Sequence, residues 1–355
     1  MTNFLFINPF GIGDVLFTTP VLASIAKAFP GAKIFYWCNQ RVAGILAHNP
    51  HISGVISGSR GDLKIIYRES LSKGLAKSME IFRRIKQERF DAAFDFSLDH
   101  RYGLVTSVCG IKRRVGFNYK NRGRFLTHRV PLDGYRAKHA VEYYLDLLKL
   151  MDVSILQKNL VLTVPQDRVQ KMRMILQEKG IRPDDLIIGI APGAGASWGK
   201  EAYRKHWPAA NFASVLQRCV QELGAKIVLF GDILEKGIAD DIRAKVNCAV
   251  VDLVGATDLL DLAAGITHAK VLVTNDGGPL HMAVALGVKT VSIFGPVDEK
   301  VYGPYPSSNQ HLVIKKDLPC RPCYKNFRLP LCELDRECIN AVSVDEVFNA
   351  VRSLL

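Results

Sequence analysis

Short apolar runs alternate along this chain with longer stretches whose apolar residues recur every three or four positions. In the first half, Phe4–Asn8 has the pattern of a buried strand, Gly11–Asp14 that of its turn, and Val15–Phe29 that of a helix stopped by Pro30-Gly31. Lys33–Cys38 reads as a strand, Arg41–His48 as a helix and Gly54–Ser57 as a short strand. A basic amphipathic helix over Leu71–Gln87 leads to the apolar run Phe90–Phe96, a strand over Arg114–Phe117 and a long helix over Ala137–Met151. Leu160–Val164 closes this half, and Pro165 opens a helix that runs to about Lys179. After a linker at 180–185 the alternation restarts, with strands over Leu186–Ala191, Lys226–Phe230, Ala249–Asp252, Lys270–Thr274 and Lys289–Phe294. Helices over Pro208–Leu223, Ile233–Lys245, Asp258–His268 and Pro279–Leu286 separate them. Strand–helix alternation of this kind predicts an α/β protein with parallel sheets. The expectation is two Rossmann-like, doubly wound domains facing across a cleft, over 1–165 and 166–340. The closing segment 341–355, with a helix from Val344, can pack on either domain.

Composition bounds what such a chain does. Hydrophobic residues make up 48% and charged residues 23%, which is the balance of a folded globular chain and not of a disordered one. The apolar start, Met1 to Phe10, has no basic stretch before it and reads as a first strand rather than a signal peptide. No run approaches the roughly 18 apolar residues of a membrane span. A cytoplasmic setting is therefore expected, in which cysteines are thiols or metal ligands before they are disulfides. The net charge of +13 is one-sided: residues 1–165 hold 24 Lys/Arg against 12 Asp/Glu, and the remainder 23 against 22. The densest basic stretch, Lys112 to Lys138, includes Arg113, Arg122 and Arg124 and a lone acid, Asp133. Solubility alone would account for surface charge, but this asymmetry favours an anionic partner: nucleic acid, lipid headgroups or a phosphorylated glycan.

Three turns carry the candidate chemistry. Asn8-Pro9-Phe10-Gly11-Ile12-Gly13-Asp14 joins the first strand to the first helix, but Leu16 leaves the dinucleotide fingerprint G-x-G-x-x-G incomplete. What remains is a glycine turn that delivers Asp14, either as a helix-capping residue or as a general base for a hydroxyl. Pro192-Gly193-Ala194-Gly195-Ala196-Ser197 follows the first strand of the second half, and Lys200, Arg204 and Lys205 lead to Trp207-Pro208. This is no P-loop, yet backbone N–H groups with Lys205 suit a diphosphate. Glu235, after the next strand, is either a solvated helix-start charge or an acceptor for ribose hydroxyls. Thr274-Asn275-Asp276-Gly277-Gly278-Pro279-Leu280-His281 is the third turn. Gly277 and Gly278 permit close backbone approach, and Asp276 and His281 add an acid and an imidazole.

Taken together, Gly13-Asp14-Val15-Leu16, Lys205 with Trp207-Pro208, Asn275-Asp276-Gly277-Gly278-Pro279 with His281, and Phe294-Gly295-Pro296 resemble the family 9 glycosyltransferases, the lipopolysaccharide heptosyltransferases. The resemblance spans nearly the whole chain with its motifs in order. It implies the GT-B fold and an inverting transfer of heptose from ADP-heptose, with no metal or other cofactor required for catalysis. The acceptor it implies is the Kdo/heptose inner core, an anionic lipid-linked glycan at the inner-membrane surface, reached by a peripherally associated cytoplasmic enzyme. By the same resemblance Asp14 is the base, and Gly13, Arg113, Arg122 and Arg124 lie on the acceptor side. Lys205 meets the donor phosphates, Glu235 the ribose, Asp276 the sugar, and Gly277 and Gly278 the diphosphate. His281 is left between donor contact and structure, and Thr257 falls on the adenine side. The segment Trp198–Arg204 is longer than the resemblance leads one to expect, which leaves Ser197 and Lys200 open as phosphate ligands, and the second glycine of Gly277-Gly278 replaces the Thr-Gly common there.

Cys320-Arg321-Pro322-Cys323, then Cys332 and Cys338, give C-x₂-C-x₈-C-x₅-C. The set suits a structural Zn or Fe, free thiols or a disulfide pair. Two other functional readings stay open: the same fold with another nucleotide sugar or acceptor, including a protein, and a non-enzymatic binder of nucleic acid or an anionic surface. No RNA-binding module or aromatic platform accompanies the basic stretch, so no nucleic acid is expected.

Overall fold

The computed structural model describes residues 2–355, with the side chains of Ala196 and Ser197 outside that description. The chain divides into two units, Met1–Thr163 and Val164–Leu355. The first holds a wholly parallel sheet of β1 (Asn3–Asn8), β2 (Lys33–Cys38), β3 (Gly54–Ser57), β4 (Ala92–Asp95), β5 (Arg113–Tyr119) and β6 (His128–Leu132), in the order β3-β2-β1-β4-β5-β6. The second holds β7 (Ile187–Ala191), β8 (Lys226–Leu229), β9 (Val250–Asp252), β10 (Val271–Asn275), β11 (Lys289–Phe294) and β12 (His311–Lys315), in the order β12-β11-β10-β7-β8-β9. Counted within its own unit, each sheet runs 3-2-1-4-5-6. The strand order therefore reverses between β1 and β4 in one unit and between β7 and β10 in the other, and such switch points, at the carboxyl ends of the strands, are where open α/β sheets bind ligands.

Helices cover both faces of each sheet, so the central strands are buried along their length and read as continuous apolar runs. Phe4, Leu5, Phe6 and Ile7 of β1 are buried, and Phe6 stacks with Phe94 at 5.0 Å between ring centroids. In the second unit Ile188 and Ile190 of β7 and Val271 and Val273 of β10 share one core with the helix Ala209–Leu223. The closing helix Val344–Ser353 sends Val347, Phe348 and Val351 into that same core, against Ala209–Leu223, β11 and β12. Its place is thus on the second unit.

The sequence pattern misses the sixth strand of each sheet. β6 is mostly exposed and contains Pro131, and β12 is half-buried throughout, so neither shows the alternation of a strand with one buried face. The helices Arg60–Glu69 and His100–Val108 are missed as well; the first buries no residue completely. Leu160–Val164 has no regular structure, and is tied down by the Val161 N–H donating to Thr19 Oγ1 at 2.9 Å. The segment Ala137–Met151 becomes a shorter α-helix, Ala140–Asp146, continued as 3₁₀ over Leu147–Met151.

Asp95 ends β4 beside the first switch point, buried, with Oδ1 accepting from the Ser97 N–H at 2.8 Å. Loss of hydration pushes its pKa up from 3.8 to about 6, against the lowering effect of the Ser97 bonds. Because the folded-state value is raised, the fold favours the protonated acid. The stability this contributes is complete below pH 3.8 and is lost as the pH rises through about 6. Asp95→Asn is expected to flatten the pH dependence of the unfolding free energy over that window in denaturant titrations; an unaltered slope would contradict the assignment.

Candidate active site

In the first unit the turn after β1 is closed by one side chain. Asn8 Oδ1 accepts from the Phe10 N–H at 3.1 Å, and Asn8 Nδ2 donates to the Asp14 carbonyl at 3.0 Å. Gly11, extended and without a side-chain capping bond, is the N-cap of the helix Ile12–Phe17. Asp14 is consequently not the N-cap: it sits in the first turn, half-buried, where a carboxylate is favoured by the helix dipole. Its charge reaches the buried hydroxyl of Tyr36, which bonds Thr18 Oγ1 at 2.7 Å; burial foremost, and Asp14 among the nearby charges, holds the Tyr36 pKa well above its ordinary value.

The basic candidates divide. Arg113 begins β5, paired in register with Ala92 of β4 and through it with Phe4 of β1. Asn8, which leads to Asp14, lies four residues further along β1, roughly 13 Å away. Arg113 is therefore at the opposite edge of the sheet from Asp14. Exposed Arg122 follows the carboxyl end of β5, with its N–H on the Tyr119 carbonyl at 2.9 Å, and shares the edge of Asp14. Arg124, also exposed, lies over the Phe125 ring at 5.1 Å on the return to β6.

The second unit brings its candidates together at the β7/β10 switch point. Lys205 Nζ lies 2.6 Å from Asp276 Oδ2, with side-chain exposures of 10% and 6%. The contact is ionic, since among the described residues Asp276 Oδ2 meets no aligned hydrogen-bond donor, and Nζ also reaches the Asp276 carbonyl at 3.4 Å. The Lys205 ammonium lies 4.3 Å from the ring centroid of Trp198, a cation–π contact. Asn275 holds the two loops around this pair: Nδ2 donates to the Pro192 carbonyl at 2.6 Å, and Oδ1 accepts from the Trp207 N–H at 3.2 Å. Gly277 packs so closely on Ala194 that a Cβ would come within 3.1 Å of its carbonyl oxygen. It is the N-cap of the helix Gly278–Ala285 and has no side-chain cap, so the free N–H groups at that helix start have no side-chain partner at the cap. His281 is buried within the helix. His206, beside Lys205, is pushed down to about 4 by burial, then by Arg336 and Lys205, and stays neutral.

Glu235 is neither a solvated charge nor idle. Oε1 accepts from the Gly195 N–H and Oε2 from the Asp232 N–H, each at 3.0 Å, so the carboxylate grips the glycine loop. Burial raises its pKa against those bonds. In the loop after β9, Thr257 Oγ1 is buried with no hydrogen-bond partner among the described residues, and exposed Ile233 and Leu234 lie beside Glu235. Lys200 is exposed in the 3₁₀ segment Ala196–Lys205, and the Ser197 side chain lies outside the described residues. Asn275, Trp198, Ile233 and Leu234 were not singled out from sequence. A buried asparagine ending an apolar strand was the signal available for Asn275; nothing marked the other three.

All four C-terminal cysteines line one small cavity of about 20 Å³ with Arg204 and Arg336. The same two arginines reach across to neighbouring backbone: Arg204 Nη1 donates to the Pro330 carbonyl at 2.7 Å and Arg336 Nη1 to the Tyr203 carbonyl at 2.9 Å. Tyr324 packs on Trp198 at 4.9 Å. The cysteine-bearing segment thus buttresses the loop that carries Lys205. Among the described residues, no three metal-donor side chains already form a coordination shell.

The sequence profile of glycosyltransferase family 9 (heptosyltransferase) matches residues 78–329. The chain belongs to that family. It is a glycosyltransferase, built on the paired parallel sheets described above. It is 26% identical over 352 residues to lipooligosaccharide heptosyltransferase 2 of Campylobacter jejuni, covering 98% of this chain and 96% of the relative. Its fold matches the family 9 glycosyl transferase of Veillonella parvula with a TM-score of 0.81 at 22% identity, covering 99% and 97% of the two chains. It matches the ADP-heptose LPS heptosyltransferase II of E. coli with a TM-score of 0.77 at 21% identity, covering 100% and 98%.

A Cβ on Gly193 would stand 1.7 Å from Glu235 Oε1. Gly193→Ala is expected to cost about 1–3 kcal/mol in thermal or denaturant unfolding, as overpacking does. Most of that cost should vanish in a Glu235→Ala background, and equal costs in both backgrounds would rule out the clash.

Proposed function

We propose that this glycosyltransferase transfers heptose from ADP-heptose to the Kdo/heptose inner core of lipopolysaccharide, with inversion. The observation that carries the proposal is the buried Lys205–Asp276 pair at a glycine-walled switch point, a desolvated ammonium beside the uncapped start of the helix Gly278–Ala285. Lys205 and the N–H groups around Gly277 and Gly278 take the diphosphate, Asp276 the heptose hydroxyls, and Glu235 and Thr257 the nucleoside side, with Ile233 and Leu234 offering the base an apolar bed. His281 acts from inside its helix as a structural support. The relatives named above are lipooligosaccharide and ADP-heptose LPS heptosyltransferases, which supports the same donor and acceptor here.

The chemistry follows from the charges. The acceptor hydroxyl oxygen attacks the anomeric carbon from the face opposite the diphosphate, and its proton passes to the Asp14 carboxylate. The anomeric C–O bond breaks with its electrons going to the β-phosphate oxygen, so ADP leaves with an added negative charge. Lys205 and the backbone N–H groups stabilise that developing charge, and the proposed transfer requires no catalytic metal. Arg122, at the edge of Asp14, meets the anionic acceptor, with Gly13 leaving room beside the base. Arg124 contributes less, and Arg113, at the far edge of its sheet, does not belong to this set. The basic first half also suits an enzyme held peripherally at the cytoplasmic face of the inner membrane. Among the described residues no helix is long and apolar enough to cross a membrane.

Asp14→Asn should lower kcat about 10²- to 10⁴-fold, as loss of a general base does, while leaving ADP-heptose affinity unchanged. ADP release with ADP-heptose and a Kdo-bearing acceptor measures it; wild-type turnover in the variant would remove Asp14 as the base.

For the cysteines, the reading carried forward is a structural Zn or Fe held by Cys320, Cys323, Cys332 and Cys338. The fit rests on four thiols around a cavity with room for about one ion. Its part would be to fasten the segment that buttresses the Lys205 loop. Elemental analysis of untagged protein should find about one Zn or Fe per chain, the stoichiometry of a closed four-thiolate site, and a cysteine-to-serine variant should lose both the metal and thermal stability. A metal content near zero would return these residues to free thiols.

A further inference from the structure

Outside the chemistry of the switch points, the first unit has a cavity of about 460 Å³, lined by Trp37, Leu63, Leu75, Met79, Phe82 and Tyr102 among others and almost wholly apolar. It lies among the helices Arg60–Glu69, Leu71–Gln87 and His100–Val108, and its volume is that of a ligand pocket and not of a packing defect. The apolar surface continues outward. Ile65, Leu71, Leu75, Met79 and Leu104 are all exposed large hydrophobic residues on these helices, at positions where a soluble surface would carry polar side chains. The charge around them is positive. Leu71–Gln87 carries Lys73, Lys77, Arg83, Arg84 and Lys86 against Glu80 alone. At the rim, Arg101 bonds Asp99 at 3.2 Å and Arg60 approaches it at 3.6 Å, so two cations share one carboxylate.

We infer that this surface docks on an anionic lipid bilayer and that the cavity takes one acyl chain of an anionic membrane lipid. The inference deepens the peripheral association proposed above and rests on it. An apolar face bordered by lysine and arginine is the arrangement with which interfacial helices bind anionic membranes, where burial and charge act together. An uncharged amphiphile would fill the cavity but leave the cations unmatched, and a soluble polyanion would match the cations but leave Leu71, Leu75 and Met79 in water. The anionic lipid satisfies both. The placement differs from the basic stretch Lys112–Lys138 that dominates the sequence, where, among the described residues, no large apolar residue is exposed.

Trp37 makes the chain's position measurable. It lines the cavity, with its indole N–H on the Gly58 carbonyl at 2.9 Å, and is the single tryptophan of the first unit. The full-length protein is mixed with phosphatidylglycerol vesicles, plain or with brominated acyl chains, and with phosphatidylcholine vesicles as the uncharged control. Binding to phosphatidylglycerol but not phosphatidylcholine is expected, with quenching by the brominated chains that is absent in Trp37→Phe. Leu75→Asp/Met79→Asp, two changes at exposed positions, should weaken vesicle binding at least about tenfold while leaving the circular dichroism melt unchanged. If the vesicles bind and the double variant binds equally, while Arg122→Glu/Arg124→Glu does not, the pocket is overturned and peripheral association survives. If wild type binds no vesicles, both fall. If sedimentation velocity shows that the double variant abolishes a dimer present in wild type, the face belongs to a second copy and the lipid assignment is overturned.

Discussion

A buried lysine and a buried aspartate face one another at 2.6 Å beyond the ends of β7 and β10, and the rest of the second unit is arranged so that they can. Two charges withdrawn from water carry a desolvation cost that their mutual attraction offsets only when the geometry is held, and removing either partner leaves the other charge stranded at a cost of about 3–5 kcal/mol. The holding is done by uncharged groups. Asn275 fastens the Pro192 loop to the Trp207 backbone, Gly277 lets the two loops approach, and Glu235 pins Gly195 from the far side. If Lys205 takes a diphosphate as proposed, the ligand meets an ammonium that folding has already desolvated and oriented, and Asp276 is freed to accept from sugar hydroxyls.

The two units solve the same topological problem with different chemistry. Each places glycine-bearing turns at the reversal of an identical strand order. In the first unit the switch point carries carboxylates, Asp14 after β1 and Asp95 at the end of β4. In the second it carries Lys205 and the start of the helix Gly278–Ala285. On the proposed reading the base and the anion site therefore belong to separate folding units.

Much of this was legible in the residues. Central strands buried on both faces write themselves as apolar runs, and Lys33–Cys38 and Lys289–Phe294 have the bounds their patterns predict. Edge strands are less regular: β3 and β9 still show as short apolar segments between turns, but β6, mostly exposed and holding Pro131, and β12, half-buried throughout, went unseen. Turn glycines and the charges beside them were readable because few residue types satisfy those positions. What sequence could not supply was reach. Trp198 packs on Lys205 across a kinked 3₁₀ segment, Glu235 uses its carboxylate on a loop forty residues back, and Arg113 shares a basic stretch with Arg122 yet lies at the other edge of the sheet. Each depends on register or on a loop's path, and neither is encoded in local composition.

The central claim is that Lys205 is the counter-charge for a nucleoside diphosphate. The direct measurement is calorimetric titration of ADP into wild type, Asp276→Asn and Lys205→Met/Asp276→Asn, the last removing both charges so that no buried ion is left alone. Loss of a hydrogen bond to a charged group, about 1.5–3 kcal/mol, predicts that the double variant binds ADP roughly ten- to a hundredfold more weakly than Asp276→Asn. It should also lose most of the salt dependence of binding. Equal affinity in the two variants would contradict the account.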